Sequence, residues 1–218
     1  MLSPYGFLEP NFFSLFFGAR NLRFLALSSR GGAQISQTLR TQKKGMRYCT
    51  KRRRPYYAAG VLVFMLLHNE AHVLLGADPQ RAWSDFGGRS EHEDVGIPLA
   101  TALRELDEET LCAVQPDRLA IDDVVVSQTL SGSAYYMHIC LYTGGASEAA
   151  GVIEAHSAAL ARSVGYVEKT ELRWFRWADV ACALSGIRLR DVFYRTLAGS
   201  MAQIEAALRR LLSAPAHA

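Results

Sequence analysis

The hydrophobic rhythm changes several times along the body of the chain. Tyr56 to Leu67 is a continuous apolar run rich in β-formers, and predicts a buried strand. His68-Asn69-Glu70-Ala71 supplies a turn, and His72 to Gly76 a returning strand. Loop residues follow through Gly88. Ile97–Cys112 then takes up helical spacing, with Pro98 suited to a first turn. Two more strands are predicted at Asp122–Thr129 and Ala134–Tyr142, joined by Leu130-Ser131-Gly132-Ser133. The Ala-rich stretch 144–164 reads as a loop or a weak helix. Glu171–Trp177 reads as a short strand, Ala178–Leu184 as a short helix, and Asp191–Leu212 as a longer amphipathic helix. Elements mixed in this order predict an α/β or α+β domain over about residues 55–212, with 213–218 as a tail.

Composition narrows the class. Of 218 residues, half are hydrophobic and 21% charged, which excludes a wholly disordered chain, a collagen or a low-complexity scaffold. Cys49, Cys112, Cys140 and Cys182 are far apart, with no C-x-x-C pair, so a reducing compartment is expected and a zinc cluster is not. Charge is divided unevenly. Residues 1–54 hold eleven Lys or Arg against the single Glu9, a net +10, whereas 55–218 hold thirteen against twenty acids, a net −7. An acidic body argues against nucleic acid held on a broad basic face.

The first 54 residues need their own account. Rich in Arg, Ser, Phe and Leu and nearly free of acid, they have the composition of an organellar transit peptide. A disordered tail, or a true start at Met46, fits the same residues. The expected location is cytoplasmic or mitochondrial. A membrane span needs about 20 apolar residues, and Arg20 and Arg23 interrupt the one candidate, so no membrane partner is expected. Lys51-Arg52-Arg53-Arg54 reads as a solvated junction.

The chemistry gathers in residues 87–112. At about 100° per residue, Glu105, Glu108 and Glu109 share one helix face, and Leu99, Ala102, Leu103, Leu106 and Thr110 form the stripe to be buried. Arg104 flanks the acids and sits four residues before Glu108, the spacing of a helix ion pair. Crowded carboxylates repel one another unless a hard divalent cation such as Mg²⁺ or Mn²⁺ reverses the sign of that interaction. Gly87-Gly88 adds backbone that a phosphate chain can approach closely.

At these residues the chain resembles the Nudix hydrolases, whose signature is G-x5-E-x7-R-E-U-x-E-E-x-G-U, with U a bulky apolar residue. Arg104-Glu105-Leu106-Asp107-Glu108-Glu109-Thr110 matches R-E-U-x-E-E-x, and Trp83 to Arg89 looks like the strand and Gly-Gly turn that enter the box. Two departures stand out. Counting back from Arg104 puts the first glutamate at Gly96, while counting on from Gly88 puts it at Asp94, so Asp94 or Glu93 is left to fill that role. Leu111 replaces the glycine after E-E-x, and Cys112 takes the last apolar position.

The resemblance implies an α/β/α sandwich with a mixed β-sheet. It also implies a pyrophosphohydrolase that uses Mg²⁺ or Mn²⁺ to cleave the diphosphate of a nucleoside diphosphate linked to another group. Glu105, Glu108 and Glu109 would bind metal, Arg104 would orient them, and Gly87, Gly88 and Arg89 would touch the substrate. Glu168 and Glu171 are candidates for the general base, with Glu154 behind them. A small-molecule nucleoside diphosphate derivative is the expected partner; nucleic acid is not, except that a basic segment guiding an RNA end to the acidic site would make capped RNA a substrate. The alternative is a catalytically inactive binding or assembly module with the same fold. Trp83, the 144–168 stretch and the C-terminal helix are where a leaving group would be read. Tyr135, Tyr136, Trp174 and Trp177 read as core rather than as base-stacking rings, and His68 and His72 as hairpin residues rather than zinc ligands.

Overall fold

A computed structural model describes residues 57–92, 94, 96–128, 132–182 and 186–213. The basic extension, the tail beyond Ser213, Glu93, the 129–131 part of one loop and residues 183–185 of the expected short helix lie outside these residues. No helix among the described residues is long and apolar enough to cross a membrane.

Strand β1 (Tyr57–Leu67) is the axis of the fold. It runs parallel to β6 (Ala134–Tyr142) on one edge and antiparallel to β2 (Glu70–Ala77) and β4 (Phe86–Arg89) on the other. With β3 (Trp83–Ser84), β5 (Leu119–Gln128) and β7 (Glu171–Arg176) it forms a seven-stranded mixed sheet. Successive β1 side chains point to opposite faces. Ala59, Val61, Val63 and Met65 join Leu99, Ala102 and Leu106 of α1 (Pro98–Glu109) and Ala149 and Val152 of α2 (Ala146–Arg162). Leu62 and Phe64 join Trp177 and Val180 of α3 (Trp177–Ala181) and Phe193, Leu197 and Ile204 of α4 (Asp191–Ser213). Helices on both faces explain why β1 is an unbroken apolar run rather than an alternating one. Each fully buried leucine, such as Leu99 or Leu106, stabilises the sandwich by roughly 1.5–3 kcal/mol. The fold is the α/β/α sandwich with a mixed sheet that the resemblance implied.

The feature that positions the site is a wedge between β1 and β2. These strands pair only from Val63↔Leu74 to Leu67↔Glu70. Beyond that point β4 pairs with β1 from Ala58↔Arg89 to Val61↔Phe86, while β3 pairs with β2 at Gly76↔Ser84 and Ala77↔Trp83. The chain therefore crosses from β2 to β1 at Asp85, inside the sheet. Here the sequence reading is corrected, because Gly87 and Gly88 are strand residues and not a turn. Their lack of a side chain serves close approach. A Cβ at Gly87 would lie 2.6 Å from the Tyr135 hydroxyl, and one at Gly88 would lie 2.4 Å from the Glu105 carboxylate.

Other elements differ from expectation for local reasons. The hairpin turn is two residues, His68 (φ 51°) and Asn69 (φ 65°), the left-handed pair that matches strand twist, so β2 begins at Glu70. Within the 144–164 stretch, Ala146–Arg162 is a full helix, α2, with Ala149, Val152 and His156 as its buried stripe. The Glu148 carboxylate accepts from the Gly145 N–H at 2.9 Å and fixes its start.

Helix α1 stops at Glu109 because the chain turns left-handed there. The Cys112 N–H bonds the Asp107 carbonyl and the Leu111 N–H bonds that of Glu108, which is a Schellman ending. Leu111 (φ 53°) thus occupies the position at which glycine is usual. A side chain there costs roughly 1–2 kcal/mol, against the partial burial of one leucine. Leu111→Gly is expected to stabilise the protein by about 0.5–1 kcal/mol, read as a higher urea midpoint; an unchanged or lower midpoint would contradict the strain.

Candidate active site

Helix α1 lies across β4, and its acidic face meets the backbone of Gly87 and Gly88. Arg104 is the hub. Its Nε donates to Asp94 Oδ1 (3.2 Å), Nη1 to Glu108 Oε2 (3.0 Å) and Nη2 to the Arg89 carbonyl (2.9 Å), while Nη2 lies 2.9 Å from Glu105 Oε1. Asp94 is buried, and accepts further bonds from the Thr101 hydroxyl and the Glu91 N–H, each at 2.7 Å. Burial alone would raise its pKa. The hydrogen bonds from Arg104, the Glu91 amide and Thr101 outweigh that and hold the carboxyl below the usual range. Gly96, where one count placed a glutamate, is instead a turn residue at φ +71°. Of the two residues offered for that role, Asp94 reaches Arg104, while Glu93 lies outside the described residues.

Glu105 and Glu109 point towards the wedge. The half-buried Glu105 carboxylate rests over Gly88, its pKa raised chiefly by burial against the pull of Arg104. Glu109 is 3% exposed; the Gly87 N–H donates to its Oε2 at 2.9 Å, and Lys169 Nζ lies 3.4 Å from its Oε1. Burial pushes its pKa up to about 8. Repulsion from Asp85 and a hydrogen bond shared with Glu168 add to this, and Lys169 and the Gly87 N–H only partly offset it. Glu108 is exposed and turned to Arg104.

Among the residues proposed as general base, Glu168 joins the group. It shares a hydrogen bond with Glu109, and its charge acts on Glu105. It comes from the loop between α2 and β7, which also carries the exposed Val164 and Tyr166. Glu171 is not brought in, since it is exposed on β7 and ion-paired with Arg173 at 2.6 Å. Glu154 is exposed on α2. Arg89 ends β4, exposed, with its carbonyl on Arg104.

Sequence reasoning missed the layer beneath. Lys169 is 1% exposed and donates to Ser84 Oγ at 2.6 Å. Asp85 is buried at the strand crossing, accepts from the Tyr135 hydroxyl at 2.5 Å, and has its pKa raised by burial. The one sequence signal was Gly76, since a glycine inside a strand marks a close approach. The other aromatics are committed to packing. Trp177 meets Phe64 edge-on, Tyr136 meets Tyr57, and Trp174 donates to the Ala149 carbonyl. Trp83 packs on Phe175 with Arg173 over its ring.

Two carboxyls within hydrogen-bonding reach, as Glu109 and Glu168 are, need a proton or a cation between them. All the oxygen donors here are hard, and so fit Mg²⁺ or Mn²⁺. Among the described residues no three His, Cys, Asp or Glu side chains are already gathered round one cation position. Glu105 faces Arg104, and Glu109 faces Lys169 and Gly87. A groove of about 280 Å³ between β5 and α4, lined by Val126, Ser127, Arg195 and Gln203 among others, includes none of these carboxylates.

No protein-family model matches the chain, and no curated protein does. Solved structures do match. An Ap4A hydrolase of C. elegans, in a binary complex, is 16% identical over 70% of this chain and 98% of that chain, with a TM-score of 0.49. The NUDIX domain of Shewanella oneidensis NrtR, complexed with ADP ribose, is 17% identical over 79% and 97%, with a TM-score of 0.46. The Nudix hydrolase RenU of M. smegmatis is 20% identical over 75% and 94%, with a TM-score of 0.44. The chain is thus similar to Nudix hydrolases in the motif on α1 and in the solved structures that it matches.

Proposed function

We propose that the chain is a Nudix-type pyrophosphohydrolase, which cleaves the diphosphate of a nucleoside diphosphate linked to another group. The observation that carries this reading is the convergence of Glu105 and Glu109 on glycine backbone, with Glu168 beside Glu109 and Arg104 tying the helix to the strand. Glu105, Glu108 and Glu109 would hold Mg²⁺ or Mn²⁺. That ion would draw in phosphate oxygens and favour deprotonation of a water. Arg104 keeps the glutamates in register, while Gly87 and Gly88 let the diphosphate approach and Arg89 pairs with it at the rim. Glu168, on an exposed loop, takes the proton of the attacking water.

Glu168→Gln is expected to lower kcat ten- to a hundred-fold, and Glu171→Gln to leave it within two-fold. Equal effects would return the base role to a glutamate of α1. The reaction class has its own test. Incubation with nucleotide sugars and dinucleotides in ¹⁸O-labelled water is expected to yield two phosphomonoesters, one of them labelled. Absence of cleavage, or cleavage with no label in either product, would contradict hydrolysis. The runner-up, a binding module that keeps the fold without catalysis, is favoured by Leu111 and Gly96 at signature positions; it predicts nucleotide binding with no products.

A further inference from the structure

Resting on the reading of these carboxylates as a divalent-cation site, we propose that Lys169 is a resident cation of that site. Its ammonium takes the charge-compensating place of one divalent ion at the buried end of the cluster.

Lysine is almost never fully buried unless it is paired, yet Lys169 is 1% exposed. The fold is built round it. A Cβ at Gly76 would lie 2.7 Å from its Cδ and 2.9 Å from its Cγ, so the glycine opens the channel that its stem fills. Ser84, itself buried, meets the Nζ at 2.6 Å. The ammonium ends 3.4 Å from Glu109 Oε1, and the charge of Asp85 bears on the same pair. With the Gly87 N–H on Oε2, both oxygens of Glu109 are engaged before any ion arrives.

A divalent ion drawn to Glu109 therefore meets a positive charge already in place, in a setting where like charges repel more than in water. The carboxylates that Lys169 compensates are Glu109 and Asp85. Those left for a divalent ion are Glu105, Glu108 and Glu168, with the remaining lone pairs of Glu109. A lysine that served only to pin the loop to the sheet would affect stability and leave ion loading alone.

The test is Mn²⁺ binding to the full chain, followed by loss of the free-ion paramagnetic resonance signal, for wild type and Lys169→Met. Methionine keeps the unbranched stem in the Gly76 channel and removes the charge. Lys169→Met is expected to bind at least one more Mn²⁺ per chain, or to bind it at least ten-fold more tightly. Its melting temperature should also rise more on adding Mn²⁺ than that of wild type. Equal or weaker binding overturns the proposal. If Lys169→Met does not fold, Lys169→Met/Asp85→Asn against Asp85→Asn makes the same comparison with the buried charge balanced, under the same criterion. Glu105→Gln separates the two levels of the argument. Binding that is equal in wild type and Lys169→Met, and weakened in both by Glu105→Gln, overturns the resident cation alone. No Mn²⁺ binding by any of the proteins overturns the cation-site reading as well.

Discussion

Glu109→Gln is expected to lower divalent-dependent turnover at least a hundred-fold while leaving the fold intact. Glutamine has the shape of the carboxylate, and its carbonyl oxygen can still accept from the Gly87 N–H. What it removes is the negative charge that the carboxyl would present to a bound divalent ion, beside Lys169 where water is nearly excluded. Loss of one such preorganised electrostatic group commonly costs a factor of about 10²–10³, or about 3–4 kcal/mol of barrier. Burial makes the ionised form of Glu109 costly, as its pKa of about 8 records. The variant should therefore melt no lower than wild type above pH 7 in the absence of metal. Circular dichroism would check the fold, and steady-state rates the reaction. Turnover within three-fold of wild type, at saturating substrate and metal, would remove Glu109 from the chemistry.

The divalent-free protein is expected to lose stability as the pH rises from about 6.5 to 9. A carboxyl raised from 4.5 to about 8 keeps its proton in the native state at pH values where the unfolded chain has released it. Its contribution is therefore full below 4.5 and is lost as the pH passes through 8. At 1.36 kcal/mol per pK unit, the part of this loss that falls between pH 6.5 and 8 approaches roughly 2 kcal/mol. His138 acts in the opposite sense at lower pH. Buried in β6, with no partner for its Nε2 among the described residues, it has a pKa pushed down to about 4 by burial. Its contribution is present above about 6.5 and is lost as the pH falls towards 4. The two slopes offset between 4.5 and 6.5, and above 6.5 that of Glu109 acts without it. Urea denaturation in EDTA across this range should show the fall. Glu109→Gln should flatten it, and saturating Mn²⁺ should abolish it. A level profile for the wild type would contradict a Glu109 carboxyl whose proton is held by burial.

Helix α1 was legible because a 3.6-residue period separates its Leu99, Ala102 and Leu106 stripe from its acids, and both faces are written in consecutive residues. Strand β1 was legible because a strand covered on both faces must be apolar throughout. The wedge was not. The pairing of Gly87 with Gly60 and of Gly88 with Ala59 depends on where β1 and β2 part, a long-range property that local punctuation does not encode. Helix α2 was left between loop and helix because its Ala-rich turns carry little amphipathic contrast. In the candidate site, the acids of α1 and the neighbouring Glu168 could be named from sequence, whereas Glu171, on the next strand, is held elsewhere by Arg173. Asp94 was named beside Glu93 because the turn at Gly96 breaks the count. Lys169 carried no signature at its own position, and the one hint, the in-strand Gly76, and its partner Ser84 lie more than eighty positions away in the chain.

The most direct test of the hydrolase reading is phosphomonoester release by the full chain, measured with Mg²⁺ or Mn²⁺. The substrates would be nucleotide sugars, dinucleotides, NADH, ADP-ribose, CoA, nucleoside triphosphates and capped RNA. The account predicts turnover of at least one nucleoside diphosphate derivative, abolished by EDTA and by Glu105→Gln and restored by adding back metal to the wild type. Silence across the panel from folded, metal-loaded protein would contradict it, as would turnover that is indifferent to EDTA.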